Sequence, residues 1–201
     1  MSSIERLAQQ YRALRCHHIA AGLPDLLAQA EANELSYLQL AEQLVDLERQ
    51  GRERNRHTLN LRKAGFPAIK RLEEFDFRHQ TTITKRQVSQ LLDFRFLDER
   101  ANLVFIGPPG VGKTHLAIAI ALKAVEAGYK VLFTTALSLV ETLEIAELKG
   151  ELKKKIASLL KFDLLVVDEL GYLPMNRQGT YNLFQLINGL YEFRSVILTT
   201  N

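Results

Sequence analysis

Tryptophan is absent from the 201-residue chain, and cysteine occurs once, at Cys16. A single cysteine excludes an intramolecular disulfide and leaves too few thiolates for a cysteine-built zinc site. No apolar stretch approaches the roughly 20 residues that a membrane helix requires. The N-terminus carries Glu5, Arg6, Arg12 and Arg15 with no apolar block between them, so no secretory signal is visible. Internal repeats and low-complexity segments are missing. Neither sign of charge dominates: 26 Lys plus Arg stand against 23 Asp plus Glu, a formal +3 that is too mild to name a partner. What is present is ordinary for a folded protein. Hydrophobic residues make up 47% and charged residues 24%, which excludes a disordered or collagen-like chain. The length leaves room for one domain of usual size and a smaller attachment. Taken together, these features read as a cytoplasmic protein.

The character of the chain changes near residue 100. Before it, helical signals dominate. Ser36 followed by Gln39 is a capping-box pattern, and it opens a run with Leu38, Ala41, Leu44 and Val45 at helical spacing. That run loses its apolar face after Leu47, turns basic, and ends at Gly65 and Pro67. Residues 66–77 (FPAIKRLEEFDF) lack a clean period and read as a connector that packs by its aromatics. Thr84 and Gln87 form a second capping box, predicting a helix towards Asp93 or beyond. After residue 100, strands are predicted at Leu103–Ile106, Lys130–Thr134, Leu164–Asp168 and Val196–Thr200. Each is a short apolar run suited to a parallel sheet covered on both faces. Helices predicted at Lys113–Ala127, Leu137–Leu148, Glu151–Leu160 and Gln178–Phe193 separate them, giving an α/β open sheet with right-handed crossovers.

The first chemical signal is Gly107-Pro108-Pro109-Gly110-Val111-Gly112-Lys113-Thr114, followed by His115. Gly, four residues, Gly, Lys and then Ser or Thr is the phosphate-loop pattern. The glycines let backbone N–H groups approach phosphate oxygens. The following helix N-terminus favours an anion. In this pattern Lys113 reaches the β- and γ-phosphates and the Thr114 hydroxyl ligates Mg²⁺. The motif sits between an apolar strand and a helical pattern, which is the setting it requires.

The second signal is Leu164-Leu-Val-Val-Asp-Glu169. A buried strand ending in a carboxylate puts Asp168 at the C-terminal edge of the sheet, where such sheets bind ligands. There Asp168 can hold Mg²⁺ and Glu169 can polarise a water. The bland reading is an acidic helix cap, disfavoured by the placement about fifty residues beyond the phosphate loop. Thr199, Thr200 and Asn201 end the last strand. A polar residue there either reaches the γ-phosphate or its water, or simply meets solvent.

These motifs resemble those of AAA+ ATPases. The wording around them is narrower. Phe66-Pro67, Leu72-Glu-Glu-Phe-Asp-Phe77, Phe133-Thr-Thr-Ala136, Asp168-Glu-Leu-Gly-Tyr-Leu-Pro174 and Ile197-Leu-Thr-Thr-Asn201 resemble the IstB-like helper ATPases of insertion-sequence transposons. The related DnaC-like helicase loaders are the alternative, and a small-molecule kinase is disfavoured by the Asp168–Glu169 pair. The resemblance implies ATP and Mg²⁺ as cofactors, assembly on double-stranded DNA, a homo-oligomer, and recruitment or stimulation of a transposase. Carried over by position, residues 107–115 bind the nucleotide, Thr114 and Asp168 organise Mg²⁺, Glu169 is the catalytic base, Lys113 assists, and Asn201 is the first sensor. The expected organisation is a helical N-terminal domain over 1–65, a connector over 66–100 and an AAA+ core over 101–201. The family continues past the position of Asn201 with a fifth strand beside Leu103–Ile106 and a helical lid. The expectation is therefore a fragment without its lid, weakly active or inactive alone.

Two basic stretches remain. Arg49, Arg52, Arg54, Arg56, Arg62 and Lys63 stand against Glu53 alone within residues 49–63. Such a face suits DNA phosphates, although a charge run is commonly a solvated helix face. Scarce acids and the family resemblance favour DNA. Lys149, Lys153, Lys154, Lys155 and Lys161 are diluted by Glu147 and Glu151, and DNA contact or helix ion pairs fit equally. Cys16, His17 and His18 read as ordinary polar surface, because adjacent histidines point to different sides of a helix.

Overall fold

The computed structural model describes residues 2–78, 82–172 and 177–201. The chain divides into two compact units, residues 1–58 and 59–201.

The first unit is helical. It contains α1 (Ser3–Ala13), α2 (His17–Ala32) and most of α3 (Tyr37–Ala64). Ser2 and Glu5 close a capping box on α1, and Ser36 and Gln39 do the same for α3, with Gln39 N donating to Ser36 Oγ over 3.3 Å. Cys16 is the N-cap of α2, and its side chain makes no capping bond. Its orphan N–H groups are satisfied from elsewhere: Glu48 on α3 accepts from His18 N at 2.9 Å and Ile19 N at 3.0 Å. A small core of Ala8, Ala20 and Leu23 joins the helices, with Tyr11, Leu27 and Leu44 around it. His18 lies against Gly51, where a Cβ would come within 2.1 Å of the imidazole ring. His18 is thus a half-buried packing residue, which corrects the expectation of ordinary polar surface. Among the described residues no group of His, Cys, Asp and Glu is placed to hold a metal.

The second unit is built on four parallel strands: β1 (Leu103–Ile106), β2 (Val131–Thr135), β3 (Leu164–Asp168) and β4 (Ser195–Thr200). Their order is β1-β4-β3-β2. Side chains alternate between the two faces. On one face Phe105, Val131, Phe133, Leu164, Val166 and Ile197 pack against α6 (Lys113–Glu126). Ala117, Ala121 and Ala124 of α6 are fully buried there and keep the helix close to the sheet. Phe66, Phe75 and Phe77 of the connector join this core, as the scattered aromatics imply. On the other face Leu132, Leu165, Val167, Val196 and Leu198 pack against α7 (Ala136–Leu148), α8 (Leu152–Leu159) and α9 (Arg177–Leu190). The central strand β3 is buried at every residue, the condition that favours its unbroken aliphatic run. Among the described strands β1 lies at an edge, with Val104 and Ile106 exposed.

The expected α/β parallel sheet is present. β1 and β3 have their predicted bounds, β2 lies one residue later at both ends, and β4 starts one residue earlier. The helix after Thr84 ends at Leu91 rather than reaching Asp93. Phe94, with φ of 57°, then starts the short helix α5 (Arg95–Asp98), after α4 (Lys85–Leu91). Among the described residues no helix is long and apolar enough to cross a membrane.

Candidate functional site

The loop between β1 and α6 provides the floor of the site. Gly110 and Gly112 have φ of 82° and 90°, a left-handed conformation that glycine adopts without a Cβ penalty. Gly112 is the N-cap of α6 and makes no side-chain cap, so the first N–H groups of that helix face the loop without one. A second constraint acts at Gly112: a Cβ there would lie 2.6 Å from Phe75 Cε2. Phe75 meets the His115 ring edge-on at 5.4 Å and Phe77 at 4.8 Å. His115 Nε2 is 2.8 Å from the Arg71 carbonyl, which can only accept, so Nε2 carries the proton. The side chain of His115 is therefore engaged with the connector. The connector is tied a third time through Glu73, 3.5 Å from Lys123 on α6.

The walls come from the ends of β3 and β4. A cleft of about 320 Å³ is lined by Pro109, Gly110, Gly112, Lys113 and Thr114 of the loop, together with Glu169, Thr199, Thr200 and Asn201. The Lys113 ammonium donates to the Gly107 carbonyl at 2.6 Å, the Pro108 carbonyl at 2.8 Å and Asn201 Oδ1 at 3.2 Å. Thr114 Oγ1 donates to Asp168 Oδ1 at 2.9 Å. Asp168 is buried and Glu169 exposed. The Glu169 carboxylate has no hydrogen-bonding or ionic partner among the described residues. Its backbone is left-handed, with φ of 63°, a conformation costing a non-glycine residue about 1–3 kcal/mol. The predicted residues Gly107, Pro108, Pro109, Gly110, Val111, Gly112, Lys113, Thr114, Asp168, Glu169 and Asn201 thus converge on one end of the sheet.

Two participants were not anticipated in these roles. The sequence leaves the polar end of β4 either reaching the γ-phosphate or its water or meeting solvent; the Thr199 hydroxyl instead donates to Asp168 Oδ1 and accepts the Glu169 N–H. Phe75, which the connector's aromatic pattern places in packing, is also the wedge behind Gly112. The alternating pattern of a strand end and the small cap-side glycine carry those signals only faintly.

The chemistry of the donor set suits a hard cation. A hydroxyl and a carboxylate, Thr114 and Asp168, stand side by side at the mouth of an anion-binding loop, and oxygen donors of this kind suit Mg²⁺ beside a polyphosphate.

The basic stretch of α3 divides. Arg49 Nη2 pairs with Asp46 at 2.8 Å and Arg52 Nε with Glu48 at 2.8 Å. These acids lie upstream of the window in which Glu53 stood alone. Arg54 and Arg56 are exposed and have no ion pair among the described residues, and the same holds for Arg62 and Lys63 in the second unit. On α8, Lys154 pairs with Glu151 at 3.2 Å.

Comparison with known proteins fits this geometry. The model of the family described as IstB-like ATP binding protein matches residues 9–201. The ATP-binding protein ascribed to insertion sequence IS21 of Pseudomonas aeruginosa is 39% identical over 188 residues, which are 94% of this chain and 71% of that protein. The corresponding protein of IS232 from Bacillus thuringiensis subsp. berliner is 36% identical over 200 residues, 100% of this chain and 80% of the relative. Among solved structures, AMPPCP-bound DnaA from Aquifex aeolicus superposes with a TM-score of 0.55 at 22% identity, covering 67% of this chain and 42% of that one. That likeness is one of fold, and it is the AAA+ phosphate-loop fold.

Proposed function

The chain belongs to the IstB-like ATP-binding protein family, and from that premise we propose that it is a helper ATPase of an insertion sequence. The observation that carries the proposal is the convergence of Lys113, Thr114, Asp168, Glu169 and Asn201 on one cleft. ATP is the substrate. Its phosphates lie in the 107–114 loop, with backbone N–H groups and the α6 N-terminus facing them. Lys113 releases its loop carbonyls and turns to the β- and γ-phosphates, where its ammonium meets full negative charge instead of carbonyl dipoles. Thr114 and Asp168 would hold Mg²⁺, which would supply neutralisation of charge on the phosphates. Glu169, exposed and without an ionic partner among the described residues, accepts the proton of the water that attacks the γ-phosphorus, while ADP leaves. Asn201, released by Lys113, orients that water through Oδ1 or donates through Nδ2 to the γ-phosphate.

The same proposal extends to DNA and partners. Arg54 and Arg56 contact the phosphates of double-stranded DNA without reading sequence. A homo-oligomer on DNA then recruits or stimulates a transposase. Support comes from the IS21 and IS232 relatives, whose names tie them to insertion sequences.

The test is nucleotide binding and hydrolysis with and without duplex DNA. Lys113→Ala abolishes nucleotide binding. Glu169→Gln keeps binding and loses hydrolysis, because an amide cannot take the proton. Normal turnover by Glu169→Gln would remove Glu169 from the role of base. Stimulation by single strands only, in the presence of a helicase, would point to a loader instead.

A further inference from the structure

Thr199 stands at the end of β4 and is 1% exposed. Its one hydroxyl is used twice. It donates to Asp168 Oδ1, the oxygen that also accepts from Thr114 Oγ1 at 2.9 Å. It accepts the Glu169 N–H at 2.9 Å. The regular pairing of β3 with β4 ends one step earlier, at Val167 and Leu198, so beyond the ladder the Thr199 side chain takes over the backbone's task. The residue held in this way is Glu169, whose left-handed φ of 63° relaxes readily without a tether. The 3-10 turn that follows, Leu170–Tyr172, is seated on the same strand end: a Cβ on Gly171 would meet Thr200 Oγ1 at 2.7 Å.

Only some side chains can do this. The position needs a donor for a carboxylate and an acceptor for an N–H within one buried group. Serine and threonine supply both; valine, of nearly the same shape, supplies neither. The β-branch of threonine also restricts χ1 and so fixes the direction of the hydroxyl.

We propose that Thr199 is the positioning residue of the ATP site, orienting the Asp168 carboxylate for Mg²⁺ and holding the Glu169 backbone so that its side chain faces the cleft. The inference rests on the ATPase reading given above. Thr199 itself does not act on the nucleotide, since its proton is committed to Asp168 and a lone pair to Glu169. It acts through its two neighbours, in the way that outer-shell partners tune a metal ligand.

The experiment compares the full chain with its Thr199→Val and Thr199→Ser variants, using a fluorescent ADP analogue titrated in EDTA and over a range of Mg²⁺. Outer-shell losses of this kind reach about 10–100-fold in metal affinity or activity. The expected result for Thr199→Val is an EDTA affinity within about twofold of the parent and a Mg²⁺ requirement raised about tenfold or more. Thr199→Ser restores the parental Mg²⁺ dependence to within a few-fold. Thr199→Ala removes the hydroxyl with less crowding and gives the same readout should the valine variant not fold. A lower melting temperature with unchanged Mg²⁺ dependence would make Thr199 merely structural and overturn the proposal, as would a serine variant that behaves like valine. A parent chain that binds no nucleotide at any Mg²⁺ concentration would instead sink the ATPase reading, and this inference with it.

Discussion

Arg52 on α3 donates through Nε to Glu48 Oε1 at 2.8 Å and through Nη2 to the Arg15 carbonyl at 3.0 Å. Glu48 in turn caps α2 through the His18 and Ile19 N–H groups. One guanidinium therefore braces the carboxylate that closes a helix start and, at the same time, the turn before it. A basic residue that reads in sequence as a DNA contact is here part of the scaffold of the helical unit.

This division of labour predicts different outcomes for neighbouring arginines. Arg54→Ala with Arg56→Ala weakens duplex binding similarly for all sequences, leaves the melting temperature unchanged, and flattens the salt dependence by up to about one log–log unit per lost phosphate contact. Arg52→Ala lowers the melting temperature of the helical unit. Fluorescence anisotropy across a salt series, run beside thermal melts, separates the two. An unaltered salt slope for the Arg54 and Arg56 variant would mean that this face does not meet DNA.

Glu48 also sets a pH dependence. Burial pushes its carboxyl up, but the Arg52 side chain and the Ile19 and His18 N–H groups more than offset this, and its pKa sits below the ordinary 4.5. A lowered folded-state pKa contributes stability that is fully present above the unfolded value and is lost as pH falls through the folded one. The helical unit should therefore weaken below about pH 4.5 as Glu48 takes up a proton. Glu48→Gln costs about 1 kcal/mol at neutral pH and shows a flatter acid limb. Urea melts of the two proteins at several pH values check this; parallel curves would exclude Glu48 as the titrating group.

What could be read in the sequence was what is local in it. The phosphate loop is eight consecutive residues, and the β3 motif is six, so their chemistry is visible without a partner. The capping boxes at Ser36 and Thr84 are likewise contained within four residues. The misplacements have tertiary causes. The sequence pattern starts β2 at Lys130, but the Lys130 N–H turns to the Asp163 carboxylate at 2.9 Å, and the strand starts at Val131. The pattern starts β4 at Val196, yet Ser195 belongs to the strand and is fully buried, its hydroxyl donating to the Phe96 carbonyl at 3.0 Å, 99 residues away. Thr199 on Asp168 and Phe75 behind Gly112 are contacts over 31 and 37 residues, and no period or spacing encodes them. The basic window on α3 misled for a simpler reason. Helix partners sit three and four residues away, so Asp46 and Glu48, just upstream, belong to the charge balance of Arg49 and Arg52.

The two left-handed glycines of the phosphate loop give the sharpest contrast. At Gly110 an added Cβ meets nothing within 4 Å, whereas at Gly112 it meets Phe75 at 2.6 Å. Both substitutions to alanine incur the strain of a left-handed residue, about 1–2 kcal/mol. Only Gly112→Ala must also displace the Phe75 ring, which is held between Phe77 and His115. Gly110→Ala should therefore lower the melting temperature slightly, and Gly112→Ala clearly more. Phe75→Ala opens the space that the new methyl needs. On the parent background it destabilises by the loss of a part-buried aromatic; on the Gly112→Ala background it should be markedly less harmful. The coupling in that double-mutant cycle is expected at about 1 kcal/mol or more, within the range for residues in contact. Thermal melts of the four proteins measure it directly. Strict additivity would mean that Phe75 does not press on the phosphate loop, and the connector would then lose its part in shaping the nucleotide cleft.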